Sequence, residues 1–268
     1  MLRRAVRLDG GSSDSRDALS EVPISSGLGS PEEDLGSRHL ATGGRSENAG
    51  GVARVMIWKR RKKPPVRALL FDIGGVVVKA RLEGFLQAGS LVYGCSEKVL
   101  ARHIASLVEE LERGEIDSYS LWEELGQKLE SKGVGKAQDP EKLERLWAQM
   151  LEDSLQVDPE MLALCRRLQG KLPMGVLSNT ITEHAAYLQK FGVYDIFNPC
   201  VLSFEVGMRK PEPGIYQLAC DLINTPPENC LFIDDLKVNI KAAKACKLQT
   251  HLFKDRETLE VELKKLGF

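Results

Sequence analysis

The sequence has no apolar run near the roughly 20 residues that a membrane span requires, which argues against an integral membrane protein. Its six cysteines include no C-x-x-C pair, so reduced, intracellular cysteines are favoured over a disulfide or zinc framework. Strong net charge is also lacking. The 268 residues carry a net charge of −1 and residues 67–268 are mildly acidic, which argues against a nucleic-acid surface.

Aromatic residues are missing from the start of the chain. Residues 1–55 contain no Phe, Trp or Tyr, and such a segment cannot bury enough apolar area to offset its ordering entropy. We therefore assign residues 1–66 to a disordered segment and a basic linker. The expected location is the cytoplasm. The alternative is the mitochondrion if the Arg-rich start is a transit peptide, and a third interpretation begins the native chain at Met56.

The remaining 202 residues combine strand and helix patterns. A short apolar strand leads into Asp72 and a glycine pair, which is typical of a buried strand of a parallel sheet. Residues 80–157 then repeat apolar positions every three or four residues, and we interpret them as an inserted helical subdomain. From Asp158 onward helices and strands alternate. Residues 67–79 and 158–268 are therefore expected to form an α/β core with a doubly wound parallel sheet.

The later strands are predicted at four apolar runs: Met174–Leu177, Cys200–Phe204, Cys230–Ile233 and Thr250–Phe253. The run from Thr180 to Glu183 fits a capping box for the helix after the first of them. In the helical insert, Trp122 and Trp147 indicate core packing, with pocket lining as the alternative. His103 and His184 show no metal-ligand spacing, and we interpret both as structural or surface residues.

Polar side chains stand where the predicted strands end. Asp72, Ser178-Asn179 and Asp234-Asp235 each follow an apolar run, and Lys210 precedes a helix. Because the carboxyl ends of parallel strands meet at one edge of the sheet, we expect these groups to lie together. A carboxylate, a hydroxyl, an amide, a cation and an acid pair suit phosphoryl transfer. Taken singly, each also fits a turn, a helix cap or a solvated loop.

The same motifs resemble those of the haloacid dehalogenase (HAD)-like hydrolases. FDIGGVV, VLSNT, RKPEPGIY and FIDDLKVNIKAA are similar to the family's four motifs, in the same order and strand context. The resemblance covers residues 67–268 and is strongest to a helical-cap subgroup, which includes the phosphatase domain of soluble epoxide hydrolase and bacterial sugar-phosphate phosphatases. It implies a Rossmann-like core and a cap, residues 80–157, that closes over the site and selects the substrate.

The resemblance also implies a metal site. Mg²⁺ would be held by the carboxylates of Asp72 and Asp235 and by the main-chain carbonyl of Gly74. Oxygen ligands of this kind suit a hard cation. Asp234 would stand beside the metal without binding it, and Asn239 would orient the waters of the metal.

For the phosphate, the resemblance implies that Asp72 attacks phosphorus and forms an aspartyl-phosphate. Ser178 and Asn179 would donate hydrogen bonds to phosphate oxygens. Lys210 would neutralise the phosphate and keep Asp72 ionised.

The sequence departs from the family at Gly74, where most of these phosphatases have a second acid. A general acid or base typically contributes about 10²- to 10⁴-fold, so we expect slow turnover and a preference for good leaving groups. The expected function is a Mg²⁺-dependent phosphatase for a small phosphorylated metabolite, without nucleic-acid or membrane partners. The alternatives are a metal-free 2-haloacid dehalogenase and a catalytically weak binding domain. The substrate, the group that replaces the missing acid and the oligomeric state stay open.

Overall fold

The computed structural model describes residues 63–80 and 83–268. The expectations for residues 1–62, namely disorder, a transit peptide or a start at Met56, lie outside this part of the chain. None of the helices in the described part combines the length and the apolar character of a membrane span.

Within the described residues, seven strands form two sheets. In chain order they are β1 (Ala68–Phe71), β2 (Val78–Ala80), β3 (Leu155–Val157), β4 (Met174–Ser178), β5 (Cys200–Leu202), β6 (Cys230–Asp234) and β7 (Gln249–Leu252). Five of them make one parallel sheet in the order β5-β4-β1-β6-β7. Phe71 at the end of β1 pairs with Val176 of β4 on one side and with Ile233 of β6 on the other. The carboxyl ends of these three strands therefore lie side by side.

In this same part of the chain, ten α-helices accompany the strands. They are α1 (Glu83–Tyr93), α2 (Glu97–Glu112), α3 (Ser118–Ser131), α4 (Pro140–Ser154), α5 (Pro159–Leu168), α6 (Thr182–Gln189), α7 (Ser203–Val206), α8 (Pro213–Leu222), α9 (Lys237–Ala245) and α10 (Arg256–Lys265). Alternate residues of β1 and its neighbours pack against α5, α6 and α10 on one face, and against α8 and α9 on the other. The predicted doubly wound α/β fold is confirmed.

Helices α1 to α4 lie between β2 and β3 and build a hydrophobic core of their own around Leu100, Leu107, Leu125 and Leu129. The helical prediction for this stretch is confirmed. The sequence did not predict that β2 and β3 pair as an antiparallel ribbon, with Val78 opposite Val157. Strands of three residues are too short to show a period, which is why the pattern missed them.

Two local predictions are wrong. The strand predicted to run to Phe204 ends at Leu202, because the chain turns there into α7. The predicted capping box is also absent, since α6 has Ile181 as its N-cap with no side-chain hydrogen bond. A pair of hydrogen bonds joins the two places where the prediction fails. The hydroxyl of Ser203 accepts from the main-chain N–H of Thr180 and donates to its carbonyl, at 2.9 and 3.0 Å.

Candidate active site

Asp72 follows β1 directly and is only 6 % exposed. Its Oδ1 accepts hydrogen bonds from the main-chain N–H of Ile73 at 2.7 Å and from Lys210 Nζ at 2.9 Å. Burial raises the pKa of Asp72, and the ammonium of Lys210 opposes that rise. A divalent cation beside the carboxylate would favour the charged form further. The strand thus presents a carboxylate whose ionisation depends on the cations around it.

Lys210 is the buried cation of the site, with 2 % of its surface exposed. Its Nζ lies 2.9 Å from Asp72 Oδ1 and 2.8 Å from Asp234 Oδ2. Burial opposes the charge of Lys210, but the two carboxylates outweigh it and raise its pKa. One ammonium between two carboxylates leaves this buried group with a net negative charge when all three are ionised. Buried charge of this kind is costly unless a further cation balances it.

Asp234 is fully buried at the end of β6, and its oxygens are occupied. Besides Lys210, it accepts from the main-chain N–H of Leu236 at 2.8 Å and from Asn239 Nδ2 at 3.1 and 3.0 Å. The amide of Asn239, which we expect to orient metal waters, thus donates to Asp234 in this structure. Asp234 in turn binds Lys210.

Asp235 is half-buried and lies against the loop that follows β1. Burial raises its pKa, and the neighbouring carboxylate of Asp234 adds to that rise. A β-carbon built on Gly75 would lie 2.6 Å from the carboxyl carbon of Asp235. Any residue larger than glycine at this position would therefore clash with the carboxylate. Gly75 also has a φ of +78°, which L-residues rarely adopt. Gly75 is a site residue that was not predicted from the sequence, although the pair Gly74-Gly75 was the signal available.

These residues fit a divalent cation. One oxygen from each of Asp72, Asp234 and Asp235 lies within 4.8 Å of the others. Because Asp234 is engaged elsewhere, Asp72 and Asp235 are the carboxylates of this cluster that stay available as ligands. Carboxylate oxygens are the donors that Mg²⁺ prefers, usually together with several waters.

Ser178 and Asn179 lie at the end of β4, on the side of β1 opposite to β6. Ser178 is the last residue of β4 and 2 % exposed, and its Oγ makes one long contact of 3.5 Å, to the carbonyl of Asn179. Its hydroxyl therefore keeps the capacity to donate. The side chain of Asn179 bonds to the main chain of Lys210, donating to its carbonyl at 2.9 Å and accepting from its N–H at 2.7 Å. Asn179 thus positions Lys210, a role that the sequence did not indicate.

A cavity of about 730 Å³ extends from Asp72 towards helices α1 to α4. Trp122 and Trp147 pack in the core of those helices and also line the cavity, so both interpretations of these residues apply. His184 lines it as well and stacks on Trp147, with ring centroids 5.5 Å apart. Burial lowers the pKa of His184 to about 4, so the ring is neutral near pH 7. The position of His184 on a predicted helix did not indicate that it lines the cavity.

A family model described as haloacid dehalogenase-like hydrolase matches residues 66–247. The chain is 34 % identical over 70 residues to bifunctional epoxide hydrolase 2 of Sus scrofa, a match that covers 26 % of this chain and only 13 % of that protein. It is 26 % identical over 182 residues to a sesquiterpene phosphatase of Aspergillus oryzae, covering 67 % of this chain and 85 % of that protein.

Solved structures share the fold. A HAD family enzyme of Bacteroides thetaiotaomicron has a TM-score of 0.60 and 25 % identity, over 73 % of this chain and 98 % of that one. The same enzyme in complex with magnesium and inorganic phosphate has a TM-score of 0.58 and 23 % identity, over 72 % and 98 % of the two chains. Since the family model spans more than half of the sequence, the chain belongs to the haloacid dehalogenase-like hydrolases, a family that includes its phosphatase relatives.

Proposed function

We propose that the protein is a Mg²⁺-dependent phosphatase that hydrolyses a small phosphomonoester through an aspartyl-phosphate on Asp72. The observation that carries the proposal is the buried group of Asp72, Lys210 and Asp234 beside the carboxylate of Asp235. Two findings support it further. Phosphatases are among the related proteins, and the related Bacteroides enzyme was solved with magnesium and phosphate.

The chemistry follows from these residues. A carboxylate oxygen of Asp72 attacks phosphorus, the bond from phosphorus to the ester oxygen breaks, and the alcohol leaves with a proton taken from water. A water molecule then attacks phosphorus, which releases inorganic phosphate and restores the carboxylate. Lys210 offsets charge on the phosphoryl oxygens, and the hydroxyl of Ser178 donates to one of them. Bound Mg²⁺, held by Asp72, Asp235 and the Gly74 carbonyl, supplies further charge neutralisation.

The residue two positions after the nucleophile contributes no acid. Gly74 has no side chain, and no heavy atom lies within 4 Å of the place where its β-carbon would stand. With no acid at this position, we propose that a water molecule protonates the leaving oxygen. We expect slow turnover and a preference for alcohols that leave readily, since a general acid typically contributes about 10²- to 10⁴-fold.

The test is release of p-nitrophenol from p-nitrophenyl phosphate, with Mg²⁺ and with EDTA. We expect metal-dependent release from the native protein and a loss of at least about a hundredfold in Asp72→Asn, because nucleophilic attack is removed. Asp255→Asn is the matched control. Asp255 caps α10 by accepting from the N–H of Thr258, and asparagine caps equally well.

The other functions predict different results. Full activity in Asp72→Asn would refute the proposal. Metal-independent release of chloride from a chloroacid would indicate a dehalogenase, and release of neither product would indicate a binding domain.

A further inference from the structure

We propose that the substrate is the phosphate ester of an apolar alcohol, with a hydrocarbon chain or ring system, and that a sugar phosphate is a poor substrate. This inference rests on the proposed phosphatase function and specifies its substrate class. Its basis is the cavity of about 730 Å³ that begins at Asp72. That volume is in the range of pockets that enclose a drug-sized molecule, so the alcohol and not only the phosphate can be bound.

The walls of the cavity away from Asp72 are largely apolar. Aromatic rings from three helices meet there. Phe85 and Trp147 have ring centroids 4.6 Å apart, and those of Trp122 and Trp147 are 5.9 Å apart. Aliphatic side chains complete the wall, among them Leu86, Ile104, Val108, Leu111, Leu121 and Ile181. A wall of this kind stabilises a bound group in proportion to the apolar area that it removes from water.

Away from the proposed metal and phosphate site, the charged residues of the lining are paired with one another. Arg209 Nε lies 2.8 Å from Glu112 Oε2, and its Nη1 lies 3.3 Å from Glu109 Oε1. The hydroxyl of Ser118 donates to Glu144 Oε1 at 2.7 Å. These groups already satisfy each other, so they have little left to offer the hydroxyls of a substrate.

Away from the proposed metal site, few polar groups of the lining make no side-chain hydrogen bond to another described residue. They are Thr180, the neutral His184 and the indole N–H groups of Trp122 and Trp147. A hexose phosphate carries several hydroxyls, and each one buried without a partner weakens binding by about fivefold or more. Each buried methylene strengthens it by up to about fourfold. The balance in this cavity therefore favours hydrocarbon over sugar.

The experiment compares kcat/KM with Mg²⁺ for ethyl, hexyl and decyl phosphate and for glucose 6-phosphate. We expect a rise of roughly a hundredfold from ethyl to hexyl phosphate and a value for glucose 6-phosphate below that for hexyl phosphate. Glucose 6-phosphate equal to or better than hexyl phosphate, or no dependence on chain length, would overturn the inference. If p-nitrophenyl phosphate is still hydrolysed in that case, the proposed function survives. If nothing is hydrolysed, both fail.

Binding gives a readout that does not depend on turnover. The Asp72→Asn variant, titrated by calorimetry with Mg²⁺ present, should bind decyl phosphate at least tenfold more tightly than glucose 6-phosphate. Equal affinities would contradict an apolar site.

Substitutions in the cavity wall test where the hydrocarbon chain of the substrate binds. Ala105 on α2 lines the cavity and is exposed, so Ala105→Phe fills space with little risk to folding. We expect it to lower kcat/KM at least tenfold for decyl phosphate and less than twofold for ethyl phosphate. The neighbouring Ser106 is exposed and does not line the cavity, so Ser106→Phe should change neither value. Val108→Thr, which replaces one methyl group with a hydroxyl at nearly the same volume, should also lower the value for decyl phosphate. If Ala105→Phe and Val108→Thr lower kcat/KM equally for decyl and ethyl phosphate, the hydrocarbon chain of the substrate binds elsewhere and the assignment is refuted.

Discussion

Replacing Gly75 with alanine should displace the carboxylate of Asp235. The added β-carbon would lie 2.6 Å from the carboxyl carbon of Asp235 and closer still to one of its oxygens. Ordinary contact between carbon atoms is at about 3.5–4.0 Å, so the carboxylate or the loop must move by roughly 1 Å. The φ of +78° at this residue adds a backbone penalty for any L side chain.

The expected magnitudes follow from these two effects. A left-handed backbone costs an L-residue roughly 1–2 kcal/mol, which for a folded region of this size lowers Tm by roughly 2–8 °C. A misplacement of about 1 Å in a catalytic group can cost on the order of a hundredfold in rate. For Gly75→Ala we therefore expect a ten- to hundredfold loss in both Mg²⁺ affinity and kcat/KM.

Gly74→Ala is the matched control for this prediction. No heavy atom lies within 4 Å of its built β-carbon, and the effect of removing one glycine from the unfolded chain is shared by both variants. Calorimetric titration with Mg²⁺, thermal unfolding and p-nitrophenyl phosphate turnover should leave Gly74→Ala close to the native protein. Native Mg²⁺ affinity and turnover in Gly75→Ala would refute the placement of Asp235 as a metal ligand against this loop.

Three further predictions follow. Gly74→Asp should raise kcat at least tenfold for alkyl phosphates, because the open space admits a general acid; unchanged kcat on hexyl phosphate would contradict this. Lys210→Met should destabilise the fold by about 3–5 kcal/mol in urea unfolding, because Asp72 and Asp234 lose their buried partner, whereas a change under 1 kcal/mol would argue against the ion pairs. Saturating Mg²⁺ at about a hundredfold above Kd should stabilise the protein by about 2.7 kcal/mol, and EDTA should reverse the resulting rise in Tm.

The general arrangement of the site could be predicted from the sequence. Apolar runs that end in Asp72, Ser178 and Asp234-Asp235 identify strands and also their polar ends, and parallel strands bring those ends to one edge. Both steps use information that is local in the chain. The catalytic and metal-binding roles of these residues stay predictions, and the experiments above address them.

Individual contacts could not be predicted, because they join distant parts of the chain. The sequence suggested that Asn179 donates to phosphate, but it did not indicate that the same amide also bonds to the main chain of Lys210, 31 positions away. Asp234 likewise became the partner of Lys210 only through folding. The incorrect prediction of where β5 ends has the same origin, since Ser203 bonds to Thr180 across 23 positions.

By itself, the sequence determined the α/β fold, the helical insert and the set of polar residues at the strand ends, because periodicity and strand-end chemistry act over a few neighbouring residues. Only the tertiary structure decided that Asp234 also pairs with Lys210, that Gly75 must stay small and that the cavity above Asp72 has apolar walls. These properties depend on contacts between residues that lie far apart in the chain, and the order of residues along the chain carries no direct record of those contacts.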